Sequence, residues 1–319
     1  MGDCTRNAAP TGAADAQTRP CVGVLGLGLI GGSFARAFST AGWRVLAFDT
    51  DADTLAIARI DVLDGLLRRE EDIAACDLIV LAAYPGVCMR WLSDHAPELG
   101  RAADAARAAQ PDADVAGPVV IDTAGVKAEL CRHAFALARE HGFAFCGAHP
   151  MAGTEFSGFA HARADLFFGA PMVLTPPELA DTERLDLLAR VHDLLAPCGF
   201  GSFSVTSPRE HDRLIAFTSQ LAHVVSNAYV KSPTAQAHRG FSAGSYRDLT
   251  RVAHLNAPMW AELMMSDAAY LGEELDVLIG NLARVRDALA AGDAAELERL
   301  LAEGDRIKRA LDDAPPTRA

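Results

Sequence analysis

The sequence is short of several things. It has seven cysteines, an odd number, and no two stand at CxxC spacing. That argues against a closed disulfide framework and a CxxC redox or metal motif, and fits single thiols in a reducing cytoplasm. Cys21 and Cys146 lie in or beside apolar runs and read as core filler. No apolar run reaches the roughly 20 residues that cross a bilayer. Residues 1–20 lack the apolar centre of a signal peptide, and 1–19 read as a disordered tail rich in Ala, Thr and Gly. Positive charge is scarce: 29 Lys and Arg against 42 Asp and Glu give a net charge of -13. Nucleic acid and anionic membranes are therefore poor partners, and a small-molecule substrate is expected. No metal is assigned.

What the chain does have is size and apolar content. With 319 residues, 50% of them hydrophobic, it belongs to the soluble globular class and has material for two domains. A chain of this size buries roughly three quarters of its unfolded surface.

The organising stretch is Cys21-Val22-Gly23-Val24-Leu25-Gly26-Leu27-Gly28-Leu29-Ile30-Gly31-Gly32-Ser33. An apolar run ends in glycines, and Phe34 to Phe38 continue as a helix. Gly26 permits the turn, Gly28 lets the backbone approach a pyrophosphate, and Gly31 lets helix and strand pack closely. Leu29 and Ile30 sit at the helix N-terminus, where unpaired amides and the dipole favour phosphate. A lone GxGxxG is weak evidence. Here a second run, Trp43 to Phe48, ends in Asp49, about 20 residues on, where the ribose 2′-hydroxyl contact belongs. A carboxylate there repels a 2′-phosphate and favours NAD over NADP. Asp51 is a rival for the same contact.

Further along, strands alternate with helices. Asp51–Ile60, Met89–Leu99, Ala128–His141 and Asp181–Leu195 read as helices. Cys76–Ala83, Pro118–Asp122, Phe143–Gly147, Ala170–Thr175 and Gly199–Val205 read as strands. Residues 100–117 are either a surface helix or an insertion. Such alternation predicts a doubly wound, mostly parallel sheet, an α/β Rossmann-like fold. From Pro208 the strand-like runs stop and 3.6-residue patterning takes over. Three long helices are expected, at His211–Val230, Pro258–Ala290 (interrupted at most near Gly272 or Gly280) and Ala294–Asp312. The division is a dinucleotide-binding domain over 20–206 and an all-helical C-terminal domain over 207–319.

In an open α/β sheet the ligand lies beyond the carboxyl ends of the strands. Three loops are expected there: Tyr84-Pro85-Gly86, Asp122 to Lys127, and His149 to Glu155. Asp122 joins the glycine loop and Asp49 among the expected cofactor contacts. His149 follows a strand, and a neutral imidazole there can take a proton from a substrate hydroxyl while hydride leaves the same carbon. A structural histidine is the bland alternative. In the helical part, Gln220, His223 and Asn227 form a polar row beside an apolar stripe. Arg247 and Arg251 stand one turn apart, with Asp248 placed to pair with Arg251. The functional reading reserves a guanidinium for a substrate carboxylate.

Together these residues resemble the prephenate dehydrogenase family. Gly26–Ser33 looks like its cofactor loop. His149-Pro150-Met151-Ala152-Gly153-Thr154-Glu155 with Ser157-Gly158 looks like its catalytic loop. His211-Asp212, Ser219–His223, Tyr246–Arg251 and Pro258-Met259-Trp260 look like its helical-domain motifs. The likeness runs from about Cys21 to about Ala290. It implies a Rossmann-like domain plus a helical dimerisation domain, hence a homodimer through the helical domain. The implied chemistry is NAD-dependent oxidative decarboxylation of prephenate to 4-hydroxyphenylpyruvate, in tyrosine biosynthesis. In the implied roles His149 handles the hydroxyl proton, Arg251 holds a substrate carboxylate, and His223 positions the substrate. Thr154 and Glu155 line the pocket. The sequence departs from the family pattern at two substrate-side positions: Gly125 stands where many members have serine, and Gln220 where many have histidine.

Three other readings stay open. One keeps the chemistry and takes arogenate as substrate. A β-hydroxyacid dehydrogenase would need a catalytic lysine on the helix after the crevice, and Lys231 is the only lysine near such a helix end. A non-enzymatic NAD sensor would not need His149, His223 and Arg251 together.

Overall fold

A computed structural model describes residues 19–154 and 156–313. Two compact units emerge. One runs through Ala124 and resumes at Leu130–Ser204; the other takes Gly125–Glu129 and the chain from Val205.

The first unit is the sheet. Its elements are β1 (Cys21–Leu25), α1 (Leu29–Thr40), β2 (Arg44–Phe48), α2 (Ala52–Asp61), β3 (Gly65–Leu66), α3 (Glu70–Ala74), β4 (Leu78–Leu81), α4 (Pro85–Ala109), β5 (Val119–Asp122), α5 (Ala128–His141), β6 (Ala144–Pro150), β7 (Pro171–Thr175), α6 (Asp181–Leu194) and β8 (Ser202–Val205). The strand order is β3-β2-β1-β4-β5-β6-β7-β8. The chain goes one way from β1 through β2 to β3, then crosses back to β4, so the topological switch point lies between β1 and β4. That is where a doubly wound sheet opens its ligand crevice. Pairing is parallel from β3 to β6 and antiparallel between β6 and β7.

Both faces of the sheet are covered, so its strands are apolar on both sides rather than alternating with polar residues. Val22, Val24, Val45 and Ala47 face one core with Phe34 and Phe38 of α1. Cys21, Leu25, Leu46 and Ile79 face the other, with Leu92 of α4 and Leu130 of α5. The cysteines at 21, 76, 88, 131, 146 and 198 are buried free thiols, so Cys21 and Cys146 are indeed core.

Two elements differ from expectation. The helix starting near residue 89 is α4, which begins at Pro85 and continues through Pro97 to Ala109, taking in half of the segment left open. Proline at the first helical position suits the start, since its missing amide would have no partner there. Strand β6 continues past Gly147 to Pro150, so His149 lies inside a strand rather than after one. The reason is the change of partner. β6 pairs with β5 only as far as Cys146, then pairs antiparallel with β7, setting His149 opposite Val173.

The second unit is helical. α7 (Pro208–Ile215) runs through a π-helical segment (Ala216–Leu221) into α8 (Ala222–Tyr229), where one regular helix was expected. α9 (Gly244–Thr250), α10 (Ala257–Ser266), α11 (Ala268–Ala291) and α12 (Ala294–Asp313) follow. The helix expected over 258–290 is broken at Asp267, not at Gly272 or Gly280. Asp267 takes a non-helical conformation and its side chain turns inward, while both glycines continue α11. Among the described residues no helix is long and apolar enough to cross a membrane.

Candidate active site

The cofactor half is built at the switch point. Gly26 has φ +87°, and a Cβ there would meet the Ala82 carbonyl oxygen at 2.7 Å, so only glycine fits the turn. At Gly31 a Cβ would fall 1.9 Å from the Gly26 carbonyl oxygen. Helix α1 can rest on the loop only because that atom is missing. Gly28 differs: a Cβ there would meet nothing within 4 Å. Its bareness serves whatever approaches from outside. Gly28 caps α1 without a side-chain hydrogen bond, and the first turn carries no acidic residue. Unclaimed amides at a helix N-terminus suit a pyrophosphate.

Asp49 follows β2, and its carboxylate grips the loop. Oδ2 accepts the Leu27 amide at 2.6 Å and Oδ1 accepts the Asp51 amide at 2.9 Å. Each oxygen retains a lone pair for a hydroxyl group. Asp51 is spent otherwise: it caps α2, accepting the Asp53 amide at 3.1 Å and the Thr54 hydroxyl at 2.7 Å. Those bonds, the Thr54 hydroxyl foremost, hold its carboxyl below the usual range. Asp122 is fully buried and accepts the Ala124 amide at 2.9 Å and the Ala148 amide at 3.3 Å. A carboxylate so enclosed pins the loop after β5 to β6.

His149 is half-buried near the end of β6. The loop that follows is tied down at its far end. Phe159 packs where a Gly32 side chain would be, 2.7 Å from that missing Cβ, and the Arg163 amide donates to Ser33 Oγ at 3.0 Å. The stretch after His149 is thus anchored to α1, the helix that follows the glycine loop. Within it Thr154 is exposed, and its Oγ1 accepts the Phe156 amide at 3.3 Å. Glu155 lies outside the described residues.

The helical unit holds the remaining candidates. His223 is half-buried, its Nδ1 lies 2.8 Å from the Ser219 carbonyl, and its ring lies 4.0 Å from that of Trp260. A carbonyl only accepts, so Nδ1 carries a proton and Nε2 is left as the acceptor of the neutral ring. Gln220 is buried, its amide nitrogen 3.0 Å from Asp267 Oδ2, so this side chain faces the interior of the unit. Asn227 donates to the Ala253 carbonyl at 3.4 Å. Arg251 ends α9 and is exposed. Asp248, expected to pair with it, lies instead 3.8 Å from Arg247 Nε, and Arg251 makes no ion pair among the described residues. Residues 231–256 carry Lys231, Arg239, Arg247 and Arg251 against a single acid, Asp248, in a chain of net charge -13. Gly125 is partly buried and groups with this unit.

Some of this unit's polar interior had no counterpart in the sequence reading. His211 and Asp212, noted only as a motif, are both buried, with Nδ1 2.7 Å from Oδ1. Asp212 also accepts the Lys127 and Ala128 amides at 2.7 Å each. Asp267 has its carboxyl pushed up to about 7 by burial and by the nearby Asp212 charge, against the Gln220 hydrogen bond. The available signal was an acid interrupting an otherwise continuous apolar helical pattern.

Comparison with known proteins agrees with this division. Residues 34–199 match the prephenate dehydrogenase nucleotide-binding domain and 207–303 its dimerization domain. A cyclohexadienyl dehydrogenase of Zymomonas mobilis is 28% identical over 301 residues, covering 91% of this chain and 95% of its own. A prephenate dehydrogenase of Lactococcus lactis is 25% identical, over 91% of this chain and 77% of its own. Among solved structures, a Synechocystis arogenate dehydrogenase superposes with a TM-score of 0.69 at 26% identity, over 91% of this chain and 99% of its own. Nucleotide-binding and dimerization domains in this order place the chain in the prephenate dehydrogenase family of NAD-dependent oxidoreductases.

Proposed function

We propose that the protein oxidises and decarboxylates prephenate to 4-hydroxyphenylpyruvate, with NAD, as a step of tyrosine biosynthesis. Prephenate is a dicarboxylate. The observation that carries the reading is Arg251, exposed, without an ion-pair partner among the described residues, in a segment of four cations and one acid. A guanidinium kept free in an acidic protein suits a bidentate carboxylate.

NAD supplies the hydride acceptor. Asp49 and the amides that begin α1 bind its ribose and pyrophosphate. His149, fixed by the β6–β7 ladder, takes the substrate hydroxyl proton as hydride departs from the same carbon. Arg251 holds a carboxylate, and His223 Nε2 accepts a hydrogen bond from the substrate. Thr154, Glu155 and Gly125 are further substrate contacts. Loss of the ring carboxylate as carbon dioxide aromatises the ring and makes the step strongly downhill. The protein acts as a homodimer through its helical domain, supported by the exposed apolar side chains of α11 and α12. Six buried free thiols among the described residues fit a cytoplasmic setting.

The likeness to the Synechocystis arogenate dehydrogenase favours a second reading, the same chemistry on arogenate. One assay tests both: purified protein with NAD, and prephenate or arogenate in separate runs, followed by absorbance of the reduced cofactor. Turnover on prephenate with the higher kcat/KM is expected. His149→Ala should lower kcat by about 10²–10⁴-fold, the usual worth of a general base. Arg251→Ala should act mainly on KM. Wild-type turnover in His149→Ala would remove the base assignment, and a higher kcat/KM on arogenate would replace the substrate.

A further inference from the structure

His223 can serve a substrate only if its ring is held with the right nitrogen outward. Two contacts hold it, and one of them comes from an irregular feature of this chain. The Ser219 carbonyl that takes Nδ1–H belongs to the π-helical segment Ala216–Leu221 and also accepts the Ala222 amide. A π turn is wider than an α turn and leaves carbonyls offset from the regular ladder, which is why such turns recur at functional sites. The Trp260 ring then covers the imidazole at 4.0 Å.

A wide turn is not self-sustaining, so something must favour it over a regular one. Gln220 lies within it and is 2% exposed. Its nitrogen donates to Asp267 at 3.0 Å, while its oxygen is buried and accepts no hydrogen bond among the described residues. The amide is therefore oriented through its nitrogen, by Asp267. Asp267 in turn sits in the break between α10 and α11, 3% exposed. Burying that carboxyl beside Asp212 is unfavourable, as its value of about 7 records. A costly buried acid whose side-chain hydrogen-bond partner among the described residues is one amide of the π turn calls for a purpose beyond stability.

We propose that Asp267 and Gln220 are positioning residues for His223: their hydrogen bond pins the π turn, the turn presents the Ser219 carbonyl to Nδ1–H, and Nε2 is thereby fixed as the acceptor offered to substrate. This rests on His223 facing substrate, as proposed above. It assigns Gln220 a supporting place instead of the direct substrate contact expected from its position in the sequence.

The test separates positioning from folding. Gln220→Met and Asp267→Leu each leave a buried polar group without its partner and are expected to lower Tm. The double variant replaces both partners by apolar groups, which is near neutral for stability. It should fold like wild type, yet bind prephenate with KM raised roughly tenfold, the worth of one misdirected hydrogen bond, and kcat changed far less. Asp267→Asn keeps an acceptor for Gln220 and should retain wild-type KM. Histidine ¹⁵N spectra of the substrate-free protein should show His223 as the Nδ1–H tautomer in wild type and Asp267→Asn, and lose that bias in the double variant. A folded double variant with wild-type KM and unchanged His223 shifts overturns the proposal, as does an equal loss of kcat in every variant with those shifts unmoved. If wild type does not turn over prephenate, the substrate reading fails while the spectra still decide this one.

Discussion

The two units are stabilised in different ways. In the sheet unit, apolar cores cover both faces, and Phe34, Phe38, Phe145 and Phe167 are fully enclosed. In the helical unit from Val205 onward, the described buried residues are apolar at Ile215, Ala216, Leu221, Leu271 and Ala288, and polar at His211, Asp212, Gln220, Ser226 and Asp267. α12 buries nothing, while Val277, Ile279, Leu282, Leu289, Leu301, Ile307 and Leu311 are exposed. One unit thus keeps its hydrophobic stabilisation inside. The other spends its interior on hydrogen-bonded polar groups and carries apolar side chains on its outside, as interaction surfaces do. On the homodimer proposed above, a second copy covers that surface.

The sharpest way to break that contrast is to spoil the outer face. Ile279 and Leu282 on α11 are each 60% exposed. Ile279→Glu with Leu282→Glu removes four apolar side chains from a two-fold dimer, each worth about 1.5–3 kcal/mol when buried. Sedimentation velocity should show a monomer at concentrations where wild type is a dimer, a shift of at least about 10⁴-fold in Kd. The dependence of Tm on protein concentration should disappear. NAD binding by calorimetry should stay within about threefold. A wild-type dimer would refute the interface; lost NAD binding would refute the independence of the sheet unit.

A smaller effect in the opposite direction comes from the glycine loop. Gly31→Ala must move the Gly26 carbonyl, 1.9 Å from the new methyl, and overpacking of this kind costs about 1–3 kcal/mol. Tm of the sheet unit should fall and NAD affinity with it. Gly28→Ala meets no protein atom within 4 Å, so Tm should hold while NAD affinity drops. Equal affinity for NAD in wild type and Gly28→Ala would mean that the pyrophosphate does not approach there. Neither change should alter the dimer.

The same contrast governs how far the sequence could be read. Apolar runs between Gly and Asp punctuation are local signals, so β1, β2, β4, β5 and the crevice edge follow from them. The bounds of β6 did not, because its last residues are strand only by pairing with β7, a partner the local pattern does not announce. Asp49 is favoured by its spacing from the glycines, with Asp51 a rival two letters on. They separate only when Asp51 is seen capping α2 and Asp49 gripping Leu27. In the helical unit periodicity located the helices but misplaced the break, since Gly272 and Gly280 are the weaker helix formers. Asp267 wins because its carboxyl has a tertiary partner in Gln220, 47 residues away. Polar interiors are assembled from distant residues, and single-residue propensity carries no record of them.

The smallest expected effect tests whether that polar interior is kept at a cost. Asp267 has a native value of about 7 against an ordinary 3.8, so the folded protein holds this proton more tightly than the unfolded chain. As pH rises from 3.8 toward 7 the unfolded chain gives up its proton while the native acid retains its own, and the stability this group lends falls; above 7 the full loss persists. Asp267→Asn cannot ionise and escapes it. One pKa unit is about 1.4 kcal/mol, and exchanging a charge-assisted bond to Gln220 for a neutral one gives part of the gain back. At pH 8 Asp267→Asn should be more stable than wild type by about 2 kcal/mol in urea unfolding, with the advantage falling through zero as the pH drops toward 4. No comparable gain is expected from removing Asp49, whose carboxylate accepts two backbone amides at the surface of the sheet unit. If Asp267→Asn is less stable than wild type at pH 8, or its advantage does not vary with pH, then the helical unit's interior is stabilised in its own right and the contrast between the units is one of shape alone.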